Sequence, residues 1–169
     1  LEHAGCADFF VAHWSEAGEL AQAVDPARIA VLHGPLTDAD AAFARALGVR
    51  PVINSLEQAA RWIAAGGGRC DLMVDTGINR LGIAAADASD PRIAALDIDI
   101  LMSHLASADE VGGGDVAGVA AAADDVRGAS DDLHAAGAGG GDAGGDLGDF
   151  FQRAFAGAGR GPSPPGFRY

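Results

Sequence analysis

Two short polar segments contain the residues of this sequence best suited to chemistry. The first, DTGINRLG at residues 75–82, places Arg80 in a tight turn bracketed by Gly77 and Gly82. An arginine in such a turn can bind a substrate carboxylate, because its planar guanidinium donates paired, charge-assisted hydrogen bonds. The structural alternative, favoured for an isolated Asp-Thr-Gly, is a turn whose arginine pairs with a local acid.

The second segment, SHLASADE at residues 103–110, follows an apolar run and places His104 beside Ser103 and Ser107. A histidine there could hold a cofactor ring or a partner residue through a fixed hydrogen bond. Taken alone, a structural histidine at a strand end is the better interpretation. Three further histidines have no supporting constellation in the sequence and are assigned no role: His13, His33 and His134.

The elements that must position these segments alternate between short apolar runs and amphipathic stretches. Five apolar runs, each closed by small or polar residues, are typical of buried parallel strands. The intervening stretches begin with Ser or Thr and have an acid in the first turn, which are helix start signals. Strands are expected at residues 9–12, 29–34, 49–55, 70–77 and 97–106, and helices at 15–24, 37–48 and 55–67, with a shorter one after Asp90.

This alternation predicts a parallel α/β sheet with right-handed crossovers, either open and doubly wound or closed as a barrel. Periodicity does not choose between the two. In both, the polar residues that follow the strands should gather on one rim, where such folds bind their ligands. One helical stripe is expected to pack against the sheet: Leu56, Ala59, Ala60, Ile63 and Trp62.

Composition excludes several classes of function. The net charge of −13 disfavours nucleic acid and anionic membrane surfaces as partners. All eleven basic residues are arginine, so no side chain of this chain can form a Schiff base. Cys6 and Cys70 lie far apart with no clustered metal ligands, which fits a reduced, cytoplasmic setting without a metal site. No apolar run is long enough to span a membrane.

The composition changes abruptly after Glu110. Residues 111–169 contain 16 of the 25 glycines and few aliphatic residues, so they can bury little apolar surface. We therefore expect a folded domain at residues 1–110, followed at residues 111–169 by a largely disordered Gly/Ala/Asp-rich tail. A frameshift in GC-rich DNA would produce such a switch.

The order and spacing of these landmarks resemble the barrel domain of alanine racemases. DTGINRLG is followed about twenty residues later by LMSHLASADE, and it is preceded by FFVA-x-x-x-EA at 9–17 and PVINSLEQA at 51–59. The resemblance covers residues 1–110. It implies part of a (β/α)8 TIM-type barrel, with about five of its eight strands in this chain, and pyridoxal phosphate as the cofactor.

The resemblance also implies roles for the two segments. Arg80 matches the family arginine near the substrate carboxylate, and His104 matches the histidine whose hydrogen bonds reach the pyridine nitrogen of the cofactor through an arginine. No catalytic residue is expected in this chain, because the family's lysine segment would lie upstream of Leu1 and its catalytic tyrosine has no match. Covalent attachment of pyridoxal phosphate is therefore not expected here. Met73 stands where many relatives carry a modified lysine.

The implied activity is the interconversion of L-alanine and D-alanine, which supplies D-alanine for cell-wall peptidoglycan, with this chain inactive alone. Two alternatives stay open: a pyridoxal-phosphate racemase acting on another amino acid, such as serine, and a non-catalytic interaction module made from a partial barrel. The family forms homodimers in which each active site borrows residues from the partner's β domain. That domain has no match here, so a dimer does not follow for this chain.

Overall fold

The computed structural model of the chain describes residues 2–104, and within them six parallel strands form one sheet. The first four strands pair in chain order, and the long sixth strand lies beside the fourth. A doubly wound sheet reverses its strand order at a switch point, whereas this succession continues in one direction, as in a barrel. The strands are β1 (Phe9–Val11), β2 (Ile29–Val31), β3 (Arg50–Ile53), β4 (Arg69–Asp75), β5 (Ile83–Ala84) and β6 (Asp97–Ser103).

The helices follow the predicted pattern, and their ends are set by local hydrogen bonds. In the second helix, Thr37 and Asp40 cap each other reciprocally, and Gly48 ends the helix in the left-handed region at φ +80°. The first helix stops at Leu20 rather than at residue 24, because its last turn tightens into i to i+3 hydrogen bonds. The α-helices are α1 (Trp14–Leu20), α2 (Asp38–Leu47), α3 (Leu56–Ala64) and α4 (Pro91–Ala94).

Alternate residues of the strands supply two apolar clusters. Leu72 and Val74 of β4 belong to the larger cluster, which also contains Trp62 of α3 and so lies between sheet and helices. Met73, between them in sequence, packs with Val52 and Ala30 in a smaller cluster on the other face. In a barrel the second face is the interior, so the small inner cluster is the part of the barrel core that these strands supply.

The predicted apolar stripe on α3 is only partly correct. Ala59 and Trp62 are buried as expected, and Leu56 packs against the core, but Ala60 is exposed and Ile63 is 39% exposed. Successive residues of a helix are about 100° apart, so the helix orientation that buries the large Trp62 ring turns Ile63 toward solvent.

A buried charge network lies toward the amino ends of the strands, opposite the predicted rim. Arg50, only 5% exposed, forms ion pairs with Asp8 at 3.1 Å, Asp71 at 3.2 Å and Asp99 at 2.9 Å. Burial raises the pKa of Asp71 to about 6, although the neighbouring Arg50 acts in the opposite direction. The network ties β3, β4 and β6 together at one end of the sheet.

Several expectations fall on residues outside those described. These are the end of the fifth predicted strand beyond residue 104, His134, and the proposed tail at 111–169. Among residues 2–104, no helix is long and apolar enough to cross a membrane.

Candidate functional site

The polar residues that follow the parallel strands lie at one edge of the sheet, as the sequence predicts. Asn54 follows β3, Asp75 ends β4 and opens the DTGINRLG segment, and His104 follows β6. All strands of the sheet pair in parallel, so their carboxyl ends face the same way. We call this edge the rim.

The DTGINRLG segment folds back onto the end of β4. The Oδ1 atom of Asp75 accepts hydrogen bonds from the backbone amides of Gly77 at 2.9 Å and Asn79 at 3.1 Å. Asn79 adopts φ +54°, which asparagine tolerates better than most residues. Gly82 packs so tightly on the strand that an added Cβ would lie 2.5 Å from the backbone nitrogen of Asp75. The carboxylate of Asp75 therefore stabilises the loop itself.

Arg80 lies exposed at this loop. Within residues 2–104, no acid, carbonyl or hydroxyl holds its guanidinium by a hydrogen bond or ion pair. The structural alternative of a pairing with a local acid is thus not realised in the described part of the chain. Toward the described residues 2–104, the five N–H donors of Arg80 make no hydrogen bond and could bind an anionic ligand. Its role toward a substrate carboxylate stays a prediction.

The structure connects the two predicted segments directly. The hydroxyl oxygens of Thr76, in the first segment, and Ser103, in the second, lie 2.8 Å apart in a hydrogen bond. His104 is exposed immediately beyond Ser103, and its ring has no hydrogen-bonded partner in residues 2–104. This arrangement brings both segments to the same part of the rim, while the cofactor role of His104 stays a prediction.

The sequence predicts Asn54 among the polar residues of the rim, but it assigns this residue no specific role. Its Nδ2 donates to the carbonyl oxygens of Leu32 at 2.8 Å and Val52 at 3.0 Å, which fixes the side-chain amide. The residue is 8% exposed, and its Oδ1 has no partner in the described structure. A buried acceptor without a partner is costly, so a ligand or water that donates to Oδ1 would stabilise this end of β3.

Sequence reasoning also assigned no role to His13 and His33, yet the structure brings them together. Their Nδ1 atoms lie 3.1 Å apart at the carboxyl ends of β1 and β2. The available signal was their equal distance from the ends of two neighbouring strands.

Other parts of the described chain offer weaker candidates. A cavity of about 300 Å³ lies near the amino ends of β3 and β4, lined in part by Arg45 and Arg69. Both arginines already have partners: Arg45 donates to the carbonyl oxygen of Gly67, and Arg69 pairs with Asp99.

Within residues 2–104, no group of three or more His, Cys, Asp or Glu side chains is placed to hold a metal ion. Burial raises the pKa of the Cys70 thiol well above its usual range, so this cysteine is a core residue.

The fold and the rim define this chain as part of a parallel α/β barrel, with polar groups at the carboxyl ends of its strands. Residues 1–140 match the family described as alanine racemase, N-terminal domain. The chain belongs to this family. The match continues past Glu110, where the resemblance was expected to end, and the domain boundary at that residue stays a prediction.

Similar proteins agree with this assignment. Alanine racemase from Methylobacterium nodulans is 42% identical over 121 residues, covering 66% of this chain and 32% of the relative. The enzyme of Brucella ovis is 41% identical over 120 residues, covering 64% of this chain and 30% of the relative. The chain therefore spans about a third of the length of these relatives.

Solved structures support the barrel and the cofactor of the family. Alanine racemase from Bartonella henselae, with covalently bound pyridoxal phosphate, has a TM-score of 0.60 and 28% identity over 76% of this chain and 40% of its own. The Clostridium difficile 630 enzyme has a TM-score of 0.62 at 22% identity over 79% of this chain and 37% of its own, a likeness of fold alone. The prediction of a partial barrel is confirmed, and pyridoxal phosphate is supported as the family's cofactor.

Proposed function

We propose that this chain is the barrel portion of a cytoplasmic alanine racemase that interconverts L-alanine and D-alanine for peptidoglycan synthesis. The proposal rests on the guanidinium of Arg80, which has no hydrogen-bonded partner within residues 2–104. The family's segment places this arginine at the rim while Asp75, the nearby acid, is occupied by backbone amides. A guanidinium without a local partner at the ligand-binding end of a barrel is suited to an amino-acid carboxylate.

The residues of this chain would bind and orient the reactants. Arg80 would hold the carboxylate of the substrate through paired hydrogen bonds, fixing the position of the α-carbon. His104, which has no hydrogen-bonded partner within residues 2–104, would take part in the hydrogen bonds that position the cofactor ring. Asn54 would offer its Oδ1, which is unpaired among the same residues. Bound pyridoxal phosphate would supply the electron sink for removal of the α-proton.

The proton transfers themselves require groups that these 169 residues do not supply. Racemisation needs a base on each face of the α-carbon. The chain contains no lysine, and its single tyrosine, Tyr169, lies outside the described residues. We therefore expect the isolated chain to be inactive and to hold no covalently attached cofactor.

A second candidate is a non-catalytic interaction module. Phe10, on the first strand of the described sheet, is 43% exposed, and β1 pairs only with β2 within residues 2–104. An unpaired strand edge with an exposed aromatic ring favours association with another chain.

Site variants in a chimera test the racemase proposal. Residues 2–104 would replace the matching segment of the Methylobacterium nodulans enzyme, and alanine racemisation would be followed in both directions. Arg80→Ala should raise KM for alanine about tenfold or more, since it removes a charge-assisted contact with substrate. His104→Ala should weaken pyridoxal phosphate binding instead. The matched control is Arg92→Ala, because Arg92 pairs with Asp90 at α4. Equal kinetics for Arg80→Ala and Arg92→Ala would refute the proposed substrate contact.

A further inference from the structure

The histidines at the ends of β1 and β2 form a pair that the proposed racemase chemistry does not use. The Nδ1 atoms of His13 and His33 lie 3.1 Å apart, and the ring planes meet at 72° with their centroids 4.5 Å apart. His13 is exposed and His33 is half-buried, so solvent reaches both rings.

The strand register explains why the two rings meet. β1 and β2 pair in parallel with Val11 opposite Val31, so His13 and His33 each follow their paired valine by two residues. Backbone hydrogen bonds continue the ladder beyond the strands, and the amide of His33 donates to the carbonyl oxygen of Ala12 at 3.4 Å. Ala12 and His13 lie in a bend and Leu32 and His33 in a turn, so the two rings meet just where both chains leave their strands.

Both backbones are held in place. The amide of His13 donates to the Glu16 carboxylate at 2.8 Å, and the carbonyl oxygen of His33 accepts from Nε2 of Gln58 at 2.9 Å. Gln58 is itself buried in α3. The pair therefore rests on a fixed scaffold and loses little freedom when it binds a ligand.

The two distances show how the rings meet. The centroids lie farther apart than the two Nδ1 atoms, so the rings face each other through their Nδ1 sides. A metal ion about 2.0–2.1 Å from both nitrogens would lie beside the Nδ1–Nδ1 axis, and each ring would turn its lone pair toward it.

We propose that His13 and His33 form a two-histidine site for a divalent transition-metal ion such as Ni²⁺ or Zn²⁺. Imidazole suits both ions, and metal–nitrogen distances are about 2.0–2.1 Å. Neighbouring ligands of an octahedral or tetrahedral ion then lie about 2.9–3.4 Å apart. The observed 3.1 Å falls within that range.

Proton and ligand balance are simple for this pair. Without metal, one neutral ring donates its Nδ1 hydrogen to the other; metal binding moves that hydrogen to Nε2 of the same ring, and no proton is released. The described residues place no third His, Cys, Asp or Glu side chain to complete a metal site, so water fills the remaining positions. The racemase function does not enter this inference.

The test is a Ni²⁺ titration of the whole 169-residue chain by calorimetry, with NMR of the histidine ring signals. A Cys6→Ser background removes the half-buried free thiol. We expect one Ni²⁺ per chain, with the ring signals of His13 and His33 broadened first. His13→Asn and His33→Asn should each weaken binding about tenfold or more, which corresponds to about 1.4 kcal/mol. The matched control His3→Asn, at another exposed histidine, should change nothing.

Two results would overturn the proposal. One is Ni²⁺ binding of unchanged affinity in His13→Asn and His33→Asn, with thermal unfolding showing that both variants fold. The other, which needs no variant, is broadening of the His3 or His104 ring signal at one equivalent of Ni²⁺ while His13 and His33 stay sharp.

Discussion

At the scale of single residues, Arg50 holds together the buried charge network at the amino ends of the strands. It is buried between three carboxylates, and its removal would leave the fully buried Asp71 without the arginine that it pairs with. Breaking a buried ion pair in this way costs about 3–5 kcal/mol. We predict a loss of that size in the unfolding free energy of Arg50→Met, measured by urea denaturation at pH 7.

The matched control is Arg92→Met, because Arg92 is exposed and pairs with Asp90 at the start of α4. An exposed pair contributes less than about 1 kcal/mol, so this variant should unfold almost as the parent does. Equal losses for the two variants would contradict the special role of the buried network.

Asp71 makes the same network sensitive to pH. Its folded-state pKa of about 6 lies above the ordinary 3.8, because burial disfavours the charged carboxylate more than Arg50 favours it. The folded state then binds the proton more tightly than the unfolded state, so the stability from this group is present at low pH. That stability is lost as pH rises through about 6.

Urea unfolding between pH 4.5 and 7.5 measures this effect. The stability of the parent chain relative to Asp71→Asn should fall as the pH rises through this window, because the amide cannot ionise. Parallel pH profiles for the two proteins would show that Asp71 keeps an ordinary pKa in the folded chain.

The sequence could not have shown this network, whereas it contained a usable signal for the histidine pair. Asp8, Arg50, Asp71 and Asp99 lie far apart in the chain, and only the strand order brings their side chains together. His13 and His33, by contrast, follow neighbouring strands at equal distance, so an assumed parallel register would have paired them. Arg80 was found because its segment is a family landmark.

At the scale of elements, Gly82 allows the DTGINRLG loop to fold back onto the end of β4. Its φ of +117° is a conformation that L side chains rarely adopt, and a Cβ there would meet the backbone of Val74 and Asp75. We predict that Gly82→Ala lowers the unfolding free energy by about 1–3 kcal/mol. It should also shift the amide NMR signals of the residues around Arg80.

Gly5→Ala is the matched control, since Gly5 also has positive φ, +89°, but no atom within 4 Å of an added Cβ. It adds backbone strain without the clash, so its effect should be smaller. A larger loss for Gly5→Ala would show that the close approach at Gly82 is unimportant.

The elements themselves were largely predictable, because each long strand is an apolar run and each of the two longest helices starts at a Thr or Ser cap. Strand β5 was missed, since two residues show no periodicity and Ile83–Ala84 is defined by its pairing with β4. Ala60 and Ile63 were wrongly placed in the core, because the apolar pattern alone does not show how far the helix turns to bury Trp62.

At the scale of the whole molecule, the hydrophobic periodicity of the sequence could not distinguish a barrel from an open sheet. Both have the same alternation of strands and helices, and only the uninterrupted strand order distinguishes them here. The family landmarks pointed to the barrel, and the similar folds of alanine racemases confirm it. The chain nevertheless spans about a third of the length of these relatives, whose activity also depends on the remaining two thirds of their sequences.

If residues 2–104 are the barrel segment of an alanine racemase, as proposed above, they should support catalysis inside a complete relative. The most direct test is alanine racemisation by the chimera that carries these residues in the Methylobacterium nodulans enzyme, with the isolated 169-residue chain assayed beside it. We predict that the chimera binds pyridoxal phosphate and racemises alanine, while the isolated, lysine-free chain neither attaches the cofactor covalently nor racemises alanine. A folded chimera that binds the cofactor but does not racemise alanine would contradict the claim.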